Sequence, residues 1–339
     1  MKKTIQLLLF LFLSASMLAQ HLDWKAGVNF FFDNTEFARS AYTTDQTMAG
    51  VNLSPEIGVK WSTENTVFAG VNVLKKLGSA SFSNNIQLLA YYQFQDKKTI
   101  FRAGAFLKEN LLDDYSNFFF QDSITYYRPT MQGLYLKKGD KKHFVKLWLD
   151  WTGLQSDTIR ESFFLGTSAY QQLNDHFFID FQSYVFHYAN TQPAHPEQNV
   201  CDNILAQLSA GYHYKNQSGL NKLIFSAGIL AGFERNRKWK DDYSMPIGLI
   251  GKADLEYKEW GIENLLYAGE PRMKLYGSLG GNFYWGNPFL QGKFYLQNKI
   301  YWKVFDTKYV SGQLASRIHC CEKNIFFEQL FTLSANINK

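Results

Sequence analysis

Oily and watery residues take turns along most of this chain. From residue 22 to 32 the even positions carry Leu22, Trp24, Ala26, Val28, Phe30 and Phe32, while Asp23, Lys25, Gly27 and Asn29 fill the odd ones. From 51 to 61 the apolar set is Val51, Leu53, Ile57, Val59 and Trp61, against Asn52, Ser54, Glu56, Gly58 and Lys60. A period of two sends successive side chains to opposite faces of a strand. The same rhythm returns at 67–73, 86–94, 101–107, 145–151, 177–185, 204–214, 223–233, 245–257 and 290–302. It is looser at 126–135, 163–173, 310–318 and 327–337, and weak at 262–268. In the clearest segment Leu290, Phe294, Leu296, Ile300 and Trp302 share one face, and Gln291, Lys293, Gln297, Lys299 and Lys303 the other. Pro55 interrupts its segment, and a proline, lacking a ladder donor, predicts a bulge there.

Several of these segments alternate for about 11 residues, longer than the usual strand of a soluble sheet and close to a tilted membrane span. The total of about 16 is an even number, as in bacterial single-chain barrels. The fold class predicted is therefore all-β: a single transmembrane antiparallel β-barrel. A soluble sandwich is the competing reading. Short polar links (62–65, 95–98, 138–142, 173–176, 216–221, 258–261, 305–308) alternate with longer ones (38–48, 110–123, 153–161, 191–203, 235–243, 269–288), which places short turns on one rim and long loops on the other. Trp24, Trp61, Tyr212, Tyr214, Tyr257 and Trp302 fall at the short-turn ends with the parity of the apolar face. They form one interfacial girdle, with Trp151 assigned to the opposite one.

Composition agrees. Aromatics make up 17% of the chain, yet mean hydropathy is -0.27, and after the N-terminus no apolar run reaches the length of a spanning helix. The first residues read as a secretory signal: Lys2 and Lys3, an apolar run from 5 to 13, then small residues ending at Ala19. Residues 1–19 are thus expected to be a cleaved signal peptide and 20–339 one barrel domain, localised to a bacterial outer membrane. Lys+Arg 35 against Asp+Glu 30 is a mild basic excess without a concentrated stripe, so nucleic acid is not an expected partner. Three cysteines leave no complete disulfide framework. Cys201 paired with Cys320 or Cys321, or three free thiols, both stand.

The residues resemble outer-membrane β-barrel proteins of Bacteroidota, porin-like in architecture. The resemblance rests on the signal ending Met17-Leu18-Ala19-Gln20, on the girdle, and on Glu263-Asn264-Leu265-Leu266-Tyr267-Ala268-Gly269 leading to Tyr284-Trp285-Gly286-Asn287-Pro288. It implies outer-membrane lipid and the barrel-assembly machinery as partners but assigns no substrate; a small polar solute as cargo is expected only from the width of the barrel. The chain departs from many such barrels at its end, where Ala335-Asn336-Ile337-Asn338-Lys339 stands in place of a terminal aromatic.

About 16 strands enclose a water-filled lumen unless loops close it, and the chain leaves no room for a separate N-terminal plug domain. Candidate lumen-lining charges are Lys293, Lys299, Lys303, Arg102, Lys146, Asp150, Asp254 and Glu256, which either bias the pore field or pair among themselves. In loop 269–288, Tyr276, Tyr284 and Trp285 are candidates to stack on a ligand or to fold inward as a constriction; an ordinary surface loop is the blander expectation. A lipid-modifying enzyme is the lesser alternative, because Ser209 and His213 share a face but stand roughly 13 Å apart along an extended strand. A structural or partner-binding barrel is the other. His319, Cys320, Cys321 and Glu322 include ligand types, but alternation splits them between two faces, so no metal is expected. No cofactor motif occurs.

Overall fold

A computed structural model describes residues 21–214, 220–238 and 243–338. The expected signal segment 1–19, most of the link at 216–221 and part of the loop at 235–243 lie outside them. The strands are β1 (His21–Glu36), β2 (Gln46–Lys60), β3 (Asn65–Lys76), β4 (Asn85–Gln95), β5 (Thr99–Leu107), β6 (Thr130–Gly139), β7 (His143–Gly153), β8 (Ser162–Gln172), β9 (Phe177–Tyr188), β10 (Cys201–His213), β11 (Leu220–Asn236), β12 (Tyr243–Ser244), β13 (Ile247–Tyr257), β14 (Trp260–Gly269), β15 (Phe294–Asp306), β16 (Val310–Cys321) and β17 (Asn324–Asn338). The two-residue β12 precedes β13 along the same edge of β11, so the wall has sixteen staves. Each pairs antiparallel with its neighbours. β17 returns to β1, with Lys25 opposite Asn338 and Glu36 opposite Phe327, and the barrel closes.

The alternation resolves as predicted into an apolar exterior and a mixed interior. On β2, Leu53, Ile57 and Val59 are exposed, while Asn52, Ser54, Glu56 and Gly58 are buried. Leu147, Leu208, Ile229, Leu249 and Leu314 continue the outer belt. Trp24, Trp61, Tyr214, Tyr257 and Trp302 are exposed at the short-turn rim, joined there by Trp260, which stacks on Trp302 at 5.9 Å. Trp151 is exposed toward the other rim.

The short turns are built from their sequence. Asp96 Oδ1 accepts from the Lys98 and Thr99 amides at 2.7 and 2.6 Å, and Asp140 Oδ1 from those of Lys142 and His143 at 2.7 and 3.0 Å. Asn174 and Thr307 do the same on the same rim. Such side chains replace the missing ladder bonds of a reversing backbone.

Several boundaries differ from the pattern. The weak segment at 262–268 is a full strand, β14. β15 begins only at Phe294: Pro288–Gln291 is a 3-10 turn, Leu290 is buried rather than lipid-facing, and Lys293 lies before the strand, exposed. β6 begins at Thr130, and Tyr126 belongs to helix α1 (Asp122–Tyr127). Pro55 produces no bulge. The β2–β3 register is unchanged from Leu53↔Val73 to Glu56↔Gly70, and the ladder merely skips the intervening pairs. No disulfide joins the three cysteines.

Candidate functional site: a lumen occupied by two inward loops

The water-filled interior expected of so wide a barrel is occupied by the chain itself. The β5–β6 connection, residues 108–129, carries α1; the β14–β15 connection, residues 270–293, carries α2 (Tyr276–Leu279) and two 3-10 turns. Both connections are rich in aromatics, and their rings lie inside the barrel. Phe118, Phe119, Phe283, Tyr284, Trp285 and Phe289 are fully buried against Phe164, Tyr184, Phe186, Tyr267 and Tyr295 of the wall. Trp285 sits 4.6 Å from Phe164, edge to face, a favoured aromatic geometry. Of the three readings of this loop, inward folding is the observed one, and the ordinary surface loop, the blander expectation, is not.

The loops are bonded to each other and to the wall. The Gln121 amide donates to the Trp285 carbonyl at 2.8 Å, and the Asn287 amide to that of Asn117 at 3.0 Å. Glu234 of β11, buried, accepts from the Met273 and Lys274 amides at 2.8 Å each and from the Tyr284 hydroxyl at 2.7 Å. A carboxylate taking three donors is a charge-assisted clasp. Farther along the wall, Arg317 of β16 pairs with Asp122 of α1 at 2.6 Å and with Glu328 of β17 at 3.2 Å. His319 completes this buried group: Nε2 meets Glu328 at 2.9 Å, and Nδ1 meets the Tyr295 hydroxyl at 2.7 Å.

The predicted lumen charges divide into loop anchors and wall pairs. Lys146 holds Asp114 at 2.6 Å and the Leu111 carbonyl at 2.9 Å, and Asp150 holds Lys108 at 2.7 Å. Asp254 meets Lys222 and Lys252 at 2.8 and 3.1 Å, Glu256 meets Lys303 at 2.8 Å, and Lys299 meets Glu263 at 3.5 Å. Arg102 donates to Gln93 and lies over the rings of Tyr91 and Phe106. Lys293 lies at the long-loop rim, its amide donating to Glu322. It does not extend the ladder of Lys299 and Lys303. Tyr284 and Trp285 are buried in the plug, whereas Tyr276 is half-buried at 6.0 Å from Tyr284.

Ser209 Oγ accepts from Gln207 at 3.1 Å, and His213 Nε2 meets the Tyr170 hydroxyl at 2.8 Å, on the same cavity wall. Three carboxylates that sequence order did not suggest, Asp33, Asp122 and Glu328, have oxygens within 4.8 Å of one another. Arg317 sits among them and supplies the positive charge that a cation would bring. These groups come from β1, α1 and β17; only strand closure reveals them, and no sequence spacing encodes it.

Cavities remain beside the loops. One of 450 Å³ lies against α1, lined by Asn52, Ser54, Asn72, Asp150 and Trp285. Another of 300 Å³ lies toward the short turns, between β7 and β13. A third, of 260 Å³, borders the Arg317 group.

A family model described as "Lipid A 3'-O-deacylase-type" matches residues 14–336. Comparison with curated proteins found no significant match. Among solved structures, the outer membrane protein OprD of Pseudomonas aeruginosa is similar over 94% of both chains, with TM-score 0.56 at 9% identity. The outer membrane protein opdK of the same organism covers 94% of this chain and 99% of its own, with TM-score 0.52 at 10% identity. A loop-deletion mutant of OmpT, an outer membrane protein of Vibrio cholerae, gives 0.52 at 8% identity, over 94% of this chain and all of its own. At such identities these likenesses concern the fold.

Proposed function

The chain belongs to the lipid A 3'-O-deacylase-type family, and from the geometry of its lumen and its likeness to outer-membrane barrels we propose that it is a porin-like outer-membrane barrel passing small polar solutes along a path narrowed by two inward loops. The observation that carries this reading is the contrast between an apolar exterior and an interior wall rich in buried polar and charged side chains, with cavities left beside the plug. A tilted, sixteen-stave wall of this kind leaves a channel whose selectivity its lining sets. Paired charges of both signs favour polar over strongly ionic solutes. Export on a signal cleaved after Ala19, and insertion by the barrel-assembly machinery, complete the reading.

The family match favours a second reading, hydrolysis of an ester-linked acyl chain on lipid A. The buried His319 fits it poorly. Both ring nitrogens are engaged, by Glu328 and Tyr295, so neither is offered to a hydroxyl nucleophile or a water. Planar-bilayer recording of purified, folded protein separates the two. Discrete conductance steps support the channel. Silence at every voltage, together with loss of a 3'-linked acyl chain from lipid A in cells expressing the protein, overturns it in favour of the enzyme.

A further inference from the structure

The 300 Å³ cavity toward the short turns, bordered by the wall and by residues 114–118 of the first inward loop, has two kinds of lining. The first is an aromatic strip crossing four adjacent strands. Phe144, Tyr170, Phe178 and His213 follow one another with ring centroids 5.7, 5.3 and 4.6 Å apart, the first two steps near parallel at 15° and 29°. The second is a set of buried oxygens without hydrogen-bond partners: Gln182 Oε1, Gln207 Oε1, Asp254 Oδ1, Asp114 Oδ2 and Ser116 Oγ, all on residues that border this one space. Native interiors leave few such atoms unpaired, so a concentration of them around one cavity marks a place where donors come from outside the chain. Four of the five only accept, which sets the chemistry: the guest must donate.

Charge then narrows the guest. Asp114 is already held by Lys146 at 2.6 Å, and Asp254 by Lys222 at 2.8 Å and Lys252 at 3.1 Å. Lys141, Lys222 and Lys252 line the cavity together with Asp114, Asp180 and Asp254, so its charges balance and an ammonium group would meet like charges beside opposite ones. An anion would meet surplus acceptors. A neutral molecule with an apolar face and an edge of hydroxyls suits both linings, since aromatic faces offer contact area and amide oxygens take hydroxyl protons.

We propose that this cavity binds a neutral saccharide unit, its ring stacked on the Phe144–Tyr170 strip and its hydroxyls donating to Gln182 and Gln207. The proposal deepens the porin-like reading and rests on it only for passage of the sugar; binding is measured apart from conduction. Folded protein in a zwitterionic detergent without a sugar headgroup is titrated with maltose, cadaverine and acetate, using saturation-transfer NMR and calorimetry. Maltose is expected to bind saturably, and cadaverine and acetate neither to bind nor to compete. The Gln182→Leu, Gln207→Leu double variant should weaken maltose by about tenfold, as loss of hydroxyl acceptors predicts. Tyr170→Ala, at a half-buried position that folding tolerates better, should do the same through lost stacking, while Phe82→Ala on a distant loop changes nothing. No saturable maltose binding by heat-modifiable protein overturns the proposal, as do equal affinity in the Tyr170→Ala variant or tighter binding of cadaverine. In parallel bilayer recordings, binding without conductance would sink the channel and keep the sugar site; conductance without binding would do the reverse.

Discussion

At Gly286 a hydrogen in place of a methyl group decides how closely the two inward loops approach. A Cβ there would lie 2.0 Å from the Phe118 carbonyl oxygen, which is backbone and cannot swing aside. Gly286→Ala is therefore expected to wedge residues 270–293 away from 108–129. The cost should be about 1–3 kcal/mol in thermal unfolding, and bilayer recordings should show larger conductance steps than wild type. Unchanged steps would mean that the loops do not limit the path. At the opposite rim, the amide hydrogen bonds to Asp96 and Asp140 hold both carboxyls below their ordinary value of 3.8. A lowered folded-state value means that the turns' stabilisation is complete above 3.8 and fades as pH falls below it through the lowered value. Amide exchange at Lys98, Thr99, Lys142 and His143 should accelerate in that window, and Asp96→Asn should abolish the pH dependence at its own turn while keeping the acceptor. The turns were readable in advance as short polar links, because a polar break after an alternating strand is local chemistry. Leu290 and Lys293 were not: they continue the two-residue rhythm of β15 by chance, and nothing local says that the strand starts at Phe294.

Among the elements, the strands were legible for a physical reason. A wall with lipid on one side and a polar interior on the other imposes strict alternation, and Leu53, Ser54, Glu56 and Ile57 obey it even around Pro55. The loops gave no such signal. An aromatic stretch such as Phe283-Tyr284-Trp285 reads the same whether it faces solvent, a ligand or the inside of its own barrel, and the partners that draw the loops inward, Glu234 for this one and Arg317 for 108–129, lie on distant strands. The clasps should accordingly dominate loop placement. Glu234→Gln keeps one acceptor but turns an NH2 group toward a donor, and should cost about 1–3 kcal/mol. It should also speed proteolytic nicking near Lys274, read by limited proteolysis of folded protein. Arg317→Ala leaves the half-buried Asp122 without its cation and the buried Glu328 with only His319, and should cost about 3–5 kcal/mol. A variant as stable as wild type by thermal melting would show that the pair contributes nothing.

For the molecule as a whole, the exposed belt of leucine, isoleucine and valine is the surface the membrane must accept. Leu208 lies midway along β10 and points outward. Leu208→Arg should lose about 2–4 kcal/mol in lipid-embedded unfolding, the cost of a cation near the bilayer midplane. The same substitution in a water-exposed sheet would be harmless, so this measurement also tests which solvent the exterior meets.

The seam between β1 and β17 has a further consequence, in time rather than space. The strand that covers the N-terminal edge is the most C-terminal of the described ones, so until it pairs, two edges of hydrogen-bonding groups stand open. Contacts separated by nearly the whole chain form slowly. A chain cut short before residue 324 would therefore be a sheet seeking neighbours, and its fate would be self-association rather than a smaller barrel.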